Sequence, residues 1–388
     1  MLRNIGRQLS ICTSSWTLLL LSAGLGLGVG CGGRPALVEP GPAASPNQLS
    51  QACDGGFPKV CGRLGVKYEF GQGVDPDLVR AAALYDRACV VGDVESCGRL
   101  GNLYRHGSGV KKDTAHAAIL LKGACLGGHS ESCSRAAVLY ELGDGVDKDE
   151  VMAAQLYQKS CNEGDMHGCT NLGLLYSEGK SITRDEHHAI ELFKRACAAN
   201  HGPGCSSLGT MYEQGRGIDA SETNAAESYL RACELGAGSG CLLMGMACDR
   251  GLGMQPDRVR ALEFYKKACD KAHAQGCHYV GLVYEQGRGV ETNRTKALEY
   301  FESSCDLGYG PACSQAASHY EQGWAQPASS AWRLLEKACN TKLIASCLKL
   351  AQGYEKGAPG LAVDLARAKE TYGKACALGE KKACDLAK

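Results

Sequence analysis

Twenty of the chain's 23 cysteines stand in ten pairs with one spacing, Cys-x7-Cys. The pairs are Cys53 and Cys61, Cys89 and Cys97, Cys125 and Cys133, Cys161 and Cys169, and Cys197 and Cys205. They continue as Cys233 and Cys241, Cys269 and Cys277, Cys305 and Cys313, Cys339 and Cys347, and Cys376 and Cys384. The step from pair to pair is 36 residues and slips only near the end. Self-similarity at a period of roughly 20–50 residues marks a solenoid, in which each unit buries its apolar face against its neighbours. Cysteines this numerous and this evenly paired read as staples formed in an oxidising compartment, not as catalysts.

The N-terminus predicts export. Arg3 and Arg7 precede an apolar run from Trp16 to Val29. That run is shorter than the roughly 20 residues a membrane span needs, and its layout is that of a secretory signal. It ends in Leu27-Gly28-Val29-Gly30-Cys31. A cysteine behind small residues resembles a bacterial lipobox, although Gly28 stands where that motif usually carries Leu. We therefore expect a signal over 1–30, lipidation at Cys31, a flexible tether rich in Pro, Gly and Ala over 31–47, and repeats over 48–388. The alternative is ordinary cleavage near Gly30 and a freely secreted protein. Either event removes Cys12, and any membrane contact is through the Cys31 anchor alone. Formal charge is zero, and loss of Arg3 and Arg7 leaves the remainder slightly acidic. No block of Lys or Arg recommends nucleic acid.

Nine units run from Cys61 to Cys376, and each reads as two helices. The first helix, A, is expected to follow the opening cysteine of its unit. In it Leu64, Gly65 and Tyr68 fall at helical spacing. The Tyr recurs at 104, 140, 176, 212, 284, 320 and 354, and the small residue as Gly101, Ala137, Gly173, Gly209, Gly245, Gly281, Ala317 and Ala351. Gly inside a helix costs roughly 1 kcal/mol relative to Ala, so its repetition predicts close backbone approach by another helix. A Gly-x-Gly turn ends helix A, as at Gly71 and Gly73. The second helix, B, opens on a capping side chain: Asp77, Asp113, Asp149, Asp185, Ser221, Asp257, Asn293 or Asp364. The eighth unit has Pro327 there instead. Every helix B carries Ala at one place (Ala81 to Ala368) and a large apolar or aromatic group four residues on, such as Tyr85 or Phe193. Gln48–Cys53 and Glu380–Lys388 read as caps.

Two cysteine pairings are geometrically reasonable: within a hairpin, Cys61 to Cys89, or across the turn into the next unit, Cys89 to Cys97. Two facts favour the second. The Cys-x7-Cys spacing never varies, whereas the within-hairpin separation does, and the local scheme leaves none of the twenty unpaired. Each local bond closes a loop of about nine residues, worth roughly 2.5 kcal/mol in the chain-entropy account. Cys248 takes the Tyr position of the sixth helix A, as a buried thiol in place of an aromatic.

The strings L-G-x-x-Y-x-x-G-x-G-V and A-x-x-x-Y-x-x-A-C resemble Sel1-like repeats. With a cysteine pair per unit, the chain resembles the Helicobacter cysteine-rich protein family over Cys53 to Cys384. The resemblance implies an all-α superhelical solenoid related to tetratricopeptide arrays, with helix A lining the concave side. It also implies a scaffold that displays that surface to peptides or proteins. Members of the family are often labelled penicillin-binding proteins or β-lactamases, so a β-lactam or peptidoglycan hydrolase is the rival.

The residues give that rival little. A serine β-lactamase needs S-x-x-K with S-D-N and K-T-G elements. Ser108–Lys111 and Ser346–Lys349 match the first, and the other two strings are missing. The ten histidines are scattered without H-E-x-x-H, so no metal and no cofactor is expected. Two columns remain. Glu69, Glu141, Glu213, Asp249, Glu285, Glu321 and Glu355 follow the Tyr column and read as a solvated or capping face. Two residues past each opening cysteine stand Arg63, Arg99, Arg135 and Asn171. Arginine holds carboxylates bidentately, so these four are candidates for a peptide carboxylate or an anionic cell-wall stem peptide.

Overall fold

The computed structural model describes residues 39–179, 182–327 and 329–388. The expected signal, Cys12 and Cys31 lie outside the described residues. Helix B forms where the sequence places a cap: the side chains of Asp77, Asp113, Asp149, Asp185, Ser221, Asp257, Asn293 and Asp364 each accept the third backbone N–H of the helix they open. Helix A stops where Gly takes the left-handed conformation, as Gly71 does at φ 66°. Among the described residues the result is nine antiparallel hairpins. They begin with α2 (Pro58–Phe70) and α3 (Leu78–Val90), α4 (Val94–His106) and α5 (Thr114–Leu126), α6 (Ser130–Leu142) and α7 (Glu150–Asn162), and α8 (Met166–Glu178) and α9 (Glu186–Ala198). They continue to α18 (Ile344–Lys356) and α19 (Leu365–Ala377). The described residues form no named strand.

A shorter helix flanks the hairpins on either side. α1 (Pro46–Asp54) begins inside the segment read as tether, because Ser45 and Gln48 form a capping box with Pro46 in the first turn. α20 (Lys381–Leu386) is a truncated helix A. The eighth hairpin is again the exception. Its helix B, α17 (Ser330–Asn340), starts without a side-chain cap.

All ten Cys-x7-Cys pairs are disulfides, with Cα atoms 4.4–4.9 Å apart. One expectation is corrected: helix A does not follow its cysteine but begins three residues before it. Cys97 lies in the first turn of α4, and Cys89 in the last turn of α3. Cys133, Cys169, Cys205, Cys241, Cys277, Cys313 and Cys347 likewise lie in the first turns of their A helices, and all seven are buried. The reason is the joint they form. Each reaches back to the last turn of the preceding helix B, where Cys125, Cys161, Cys197, Cys233, Cys269, Cys305 and Cys339 stand. Each bond therefore ties the end of one hairpin to the start of the next.

The core is a small residue facing a large one. Ala81, Ala117, Ala153, Ala189 and their equivalents are buried, as are Tyr85, Leu121, Tyr157, Phe193, Tyr229, Tyr265, Phe301 and Leu335. A Cβ on Gly65 would lie 2.7 Å from the Tyr85 ring, and one on Gly173 would lie 2.6 Å from Phe193. What approaches the A-helix glycine is thus the large side chain of its own helix B. Consecutive A helices also touch, as α6 does α8, whereas consecutive B helices make few such contacts. The A helices form the tighter, inner layer.

Candidate functional site

The carboxylate column corrects the reading of it as a solvated face. Among the described residues, four of its seven members accept from buried tyrosines of helix B in the same hairpin. The hydroxyl of Tyr157 donates to Glu141 at 2.7 Å, that of Tyr229 to Glu213 at 2.6 Å and that of Tyr372 to Glu355 at 2.8 Å, and Tyr85 donates to Glu69. Burial, then the carboxylate, pushes the phenols of Tyr85, Tyr157 and Tyr229 far above their ordinary range, and that of Tyr372 up to about 12. They stay protonated and keep donating. The sequence holds only part of a signal for these clasps: where helix B has Leu121 or Phe193 the column residue is Arg105 or Ser177, but Phe301 and Leu335 still stand opposite Glu285 and Glu321.

The second column also turns inward. Arg99 reaches back to Glu69 of the preceding unit at 3.1 Å, and Gln315 to Glu285 at 2.9 Å. Lys349 reaches Glu321 at 2.6 Å. Arg99 also holds Glu95 at 2.9 Å. Arg63 donates to the backbone oxygens of Pro40, at 2.7 Å, and Gly41. The expected track of stacked arginines is therefore not an open one. Its first two members are engaged within the chain: Arg99 faces the carboxylate column of the unit before it, and Arg63 the backbone of the N-terminal segment.

Arg135 and Asn171 are brought together. They line a cavity of about 360 Å³ on the inner layer, with Arg105, Glu131, Val138 and His167. Asp165 and Ser134 complete the wall. Arg135 pairs with Glu131 on its own helix at 2.9 Å. Asp165 accepts from Ser134 at 2.6 Å, from Ser160 at 2.8 Å and from the backbone of His167 at 3.0 Å. Arg105 stands in the carboxylate column and is half-buried. It makes no hydrogen bond or ion pair among the described residues. Next to the cavity, His201 Nε2 lies 3.3 Å from His167 Nδ1.

The hydrolase candidates are placed elsewhere. Ser108 sits in the turn that ends α4, its N–H given to Leu103 at 3.0 Å. Ser346 is buried in the first turn of α18, and Lys349 is committed to Glu321. Cys248 is a buried free thiol in α12 (Gly238–Arg250), 3.9 Å from the Met254 sulfur, and burial pushes its pKa up.

The Sel1 repeat profile matches residues 58–89, 94–129, 130–165, 167–201, 203–236, 238–273, 274–309 and 344–380, well over half of the chain. The chain belongs to the Sel1 repeat family. The stretch left between matches is the eighth hairpin, the unit without the helix B cap. The repeat chain is similar to the crystal structure of c5321, a protective antigen of uropathogenic Escherichia coli with an SLR fold. That likeness has 25% identity and a TM-score of 0.52, over 88% of this chain and 73% of that one. It is also similar to a Sel1 repeat protein from Oxalobacter formigenes, at 25% identity and a TM-score of 0.52, over 58% of this chain and 99% of that one. Helicobacter pylori cysteine rich protein B is 31% identical over 35% of this chain and 97% of its own, with a TM-score of 0.29. No curated protein matches the chain.

Proposed function

We propose that this Sel1 protein is an exported scaffold of the cell envelope whose inner A-helix layer holds a protein or peptide partner. The repeat array is an architecture suited to protein binding. Ten disulfides are the chemistry of a compartment outside the reducing cytoplasm. No described helix is long and apolar enough to cross a membrane, so attachment rests on the N-terminal segment and lipidation of Cys31. The observation that carries the binding reading is the polar cavity at Arg135 and Asn171, set in a layer that the staples hold rigid.

The test is site-specific photo-crosslinking in the native envelope. A benzophenone at Val138, on the cavity wall, is expected to trap a partner. One at exposed Val151, on a B helix, is not. Equal trapping at both positions, or none at either, would remove the inner-face scaffold. A Cys31→Ala variant is expected to move from the membrane fraction to the soluble fraction. No movement would remove the lipid anchor.

A further inference from the structure

The inner layer has a register. The residue two past each opening cysteine faces the column residue of the preceding unit, 30 positions upstream, as Arg99 faces Glu69 and Gln315 faces Glu285. In that register Arg135 faces Arg105, and both line the cavity. A carboxylate stands at this place in most units, and here the chain puts a second guanidinium. Arg135 is neutralised by Glu131, and Asp165 is satisfied by two hydroxyls and a backbone N–H. Arg105 is left half-buried without a hydrogen bond or ion pair among the described residues, while Asp165 keeps its negative charge on the cavity wall. Desolvating a charge without a partner is costly.

We propose that this cavity binds the C-terminal carboxylate of a peptide, which takes the place of the missing column carboxylate between Arg105 and Arg135. The proposal rests on the scaffold reading above and names the chemistry of its ligand. With Glu131 and Asp165 already on the wall, a single carboxylate fits between the two guanidinium groups better than a phosphate dianion. Guanidinium groups meet carboxylates bidentately, and the Asn171 amide adds a neutral donor beside them. The volume of about 360 Å³ lies within the roughly 300–1,000 Å³ of small-ligand pockets. The cavity lies between stapled hairpins, so the donors are held in place before the ligand arrives.

The test uses the oxidised full-length protein and three fluorescein-labelled tripeptides, followed by anisotropy. One tripeptide ends in a free acid, one in an amide, and one in an amide with an internal Asp. The free acid is expected to bind at least about 10-fold more tightly than either amide, since a charge-assisted hydrogen bond carries that much. Free acids ending in L-Ala and D-Ala then distinguish a protein terminus from a cell-wall stem peptide. Preference for either one over its own amide supports the site. Arg105→Gln is expected to lose at least about 10-fold. Arg105→Glu rebuilds the ordinary pair with Arg135, so it should abolish binding and raise the melting temperature. That gain separates a lost site from a lost fold.

Equal binding of acid and amide, tighter binding of the internal-Asp amide, or unchanged binding by Arg105→Glu would overturn the proposal. So would the absence of saturable binding by the wild type. If the Val138 crosslink survives such a result, the scaffold stands and only the carboxylate site falls. Loss of the crosslink removes the scaffold itself.

Discussion

The interface of α2 with α4 and that of α4 with α6 are built from the same repeat, yet they differ by one exchange. In the first, Glu69 receives the Tyr85 hydroxyl from its own hairpin and Arg99 from the next. In the second, Arg105 replaces the acid, Leu121 replaces the tyrosine, and a cavity opens where the clasp would be. A clasp converts column polarity into cohesion between hairpins, whereas its inversion leaves polarity available to something else. The same repeat thus supports both a structural joint and a candidate site, and side-chain identity at two positions separates them.

The largest expected effect comes from making the first interface like the second. Glu69→Arg strands the Tyr85 hydroxyl and sets a second guanidinium against Arg99, which keeps only Glu95, and should destabilise the protein by about 3 kcal/mol. Denaturant melts measure this, and a loss under about 1 kcal/mol would mean the clasp is not cohesive. Next is the staple. Replacing both Cys125 and Cys133 by Ala should cost about 2.5 kcal/mol and should weaken any ligand at the adjoining cavity. Removing Cys89 and Cys97 should cost as much stability and leave binding in place. Third, Tyr157→Phe should cost about 1 kcal/mol, because Glu141 loses a donor. The chain contains the control. Phe301 already lacks a hydroxyl, and Glu285 there takes Gln315 instead, so Phe301→Leu should leave that hydrogen bond undisturbed.

The smallest effect contrasts the two ends of the array. Burial holds His201, His273, His278 and His319 below their ordinary range. His319 Nε2 lies 3.1 Å from Glu285 without hydrogen-bond alignment, and burial outweighs that carboxylate. In mild acid the unfolded chain therefore binds more protons than the folded one. Stability present above the unfolded value of about 6.5 should fall as pH drops through the lower folded values. All four residues lie from 201 onward, so hydrogen exchange in mild acid should quicken in the later repeats before the hairpins of α2 to α7. A uniform response would break this contrast.

Much of this was legible from residues alone. The invariant Cys-x7-Cys spacing selected the local disulfides, and caps such as Asp77 and turns such as Gly71 marked the helix ends. The small-facing-large pattern of Ala81 and Tyr85 located the core. The site was legible only in part. Position along the repeat picks out Arg135 and Asn171, which line the cavity, but it picks out Arg63 and Arg99 equally, and it does not mark Arg105.

The sequence by itself determined the elements, their period and their staples, because each depends on neighbours within one turn or one loop of chain. Only the tertiary structure decided what the polar columns do. Their partners lie 16 residues away on the opposing helix, as Tyr85 does from Glu69, or 30 away in the next hairpin, as Arg99 does. Which side chains meet across those gaps is set by how the hairpins stack, and that stacking turned most of the column inward and left Arg105 facing a cavity.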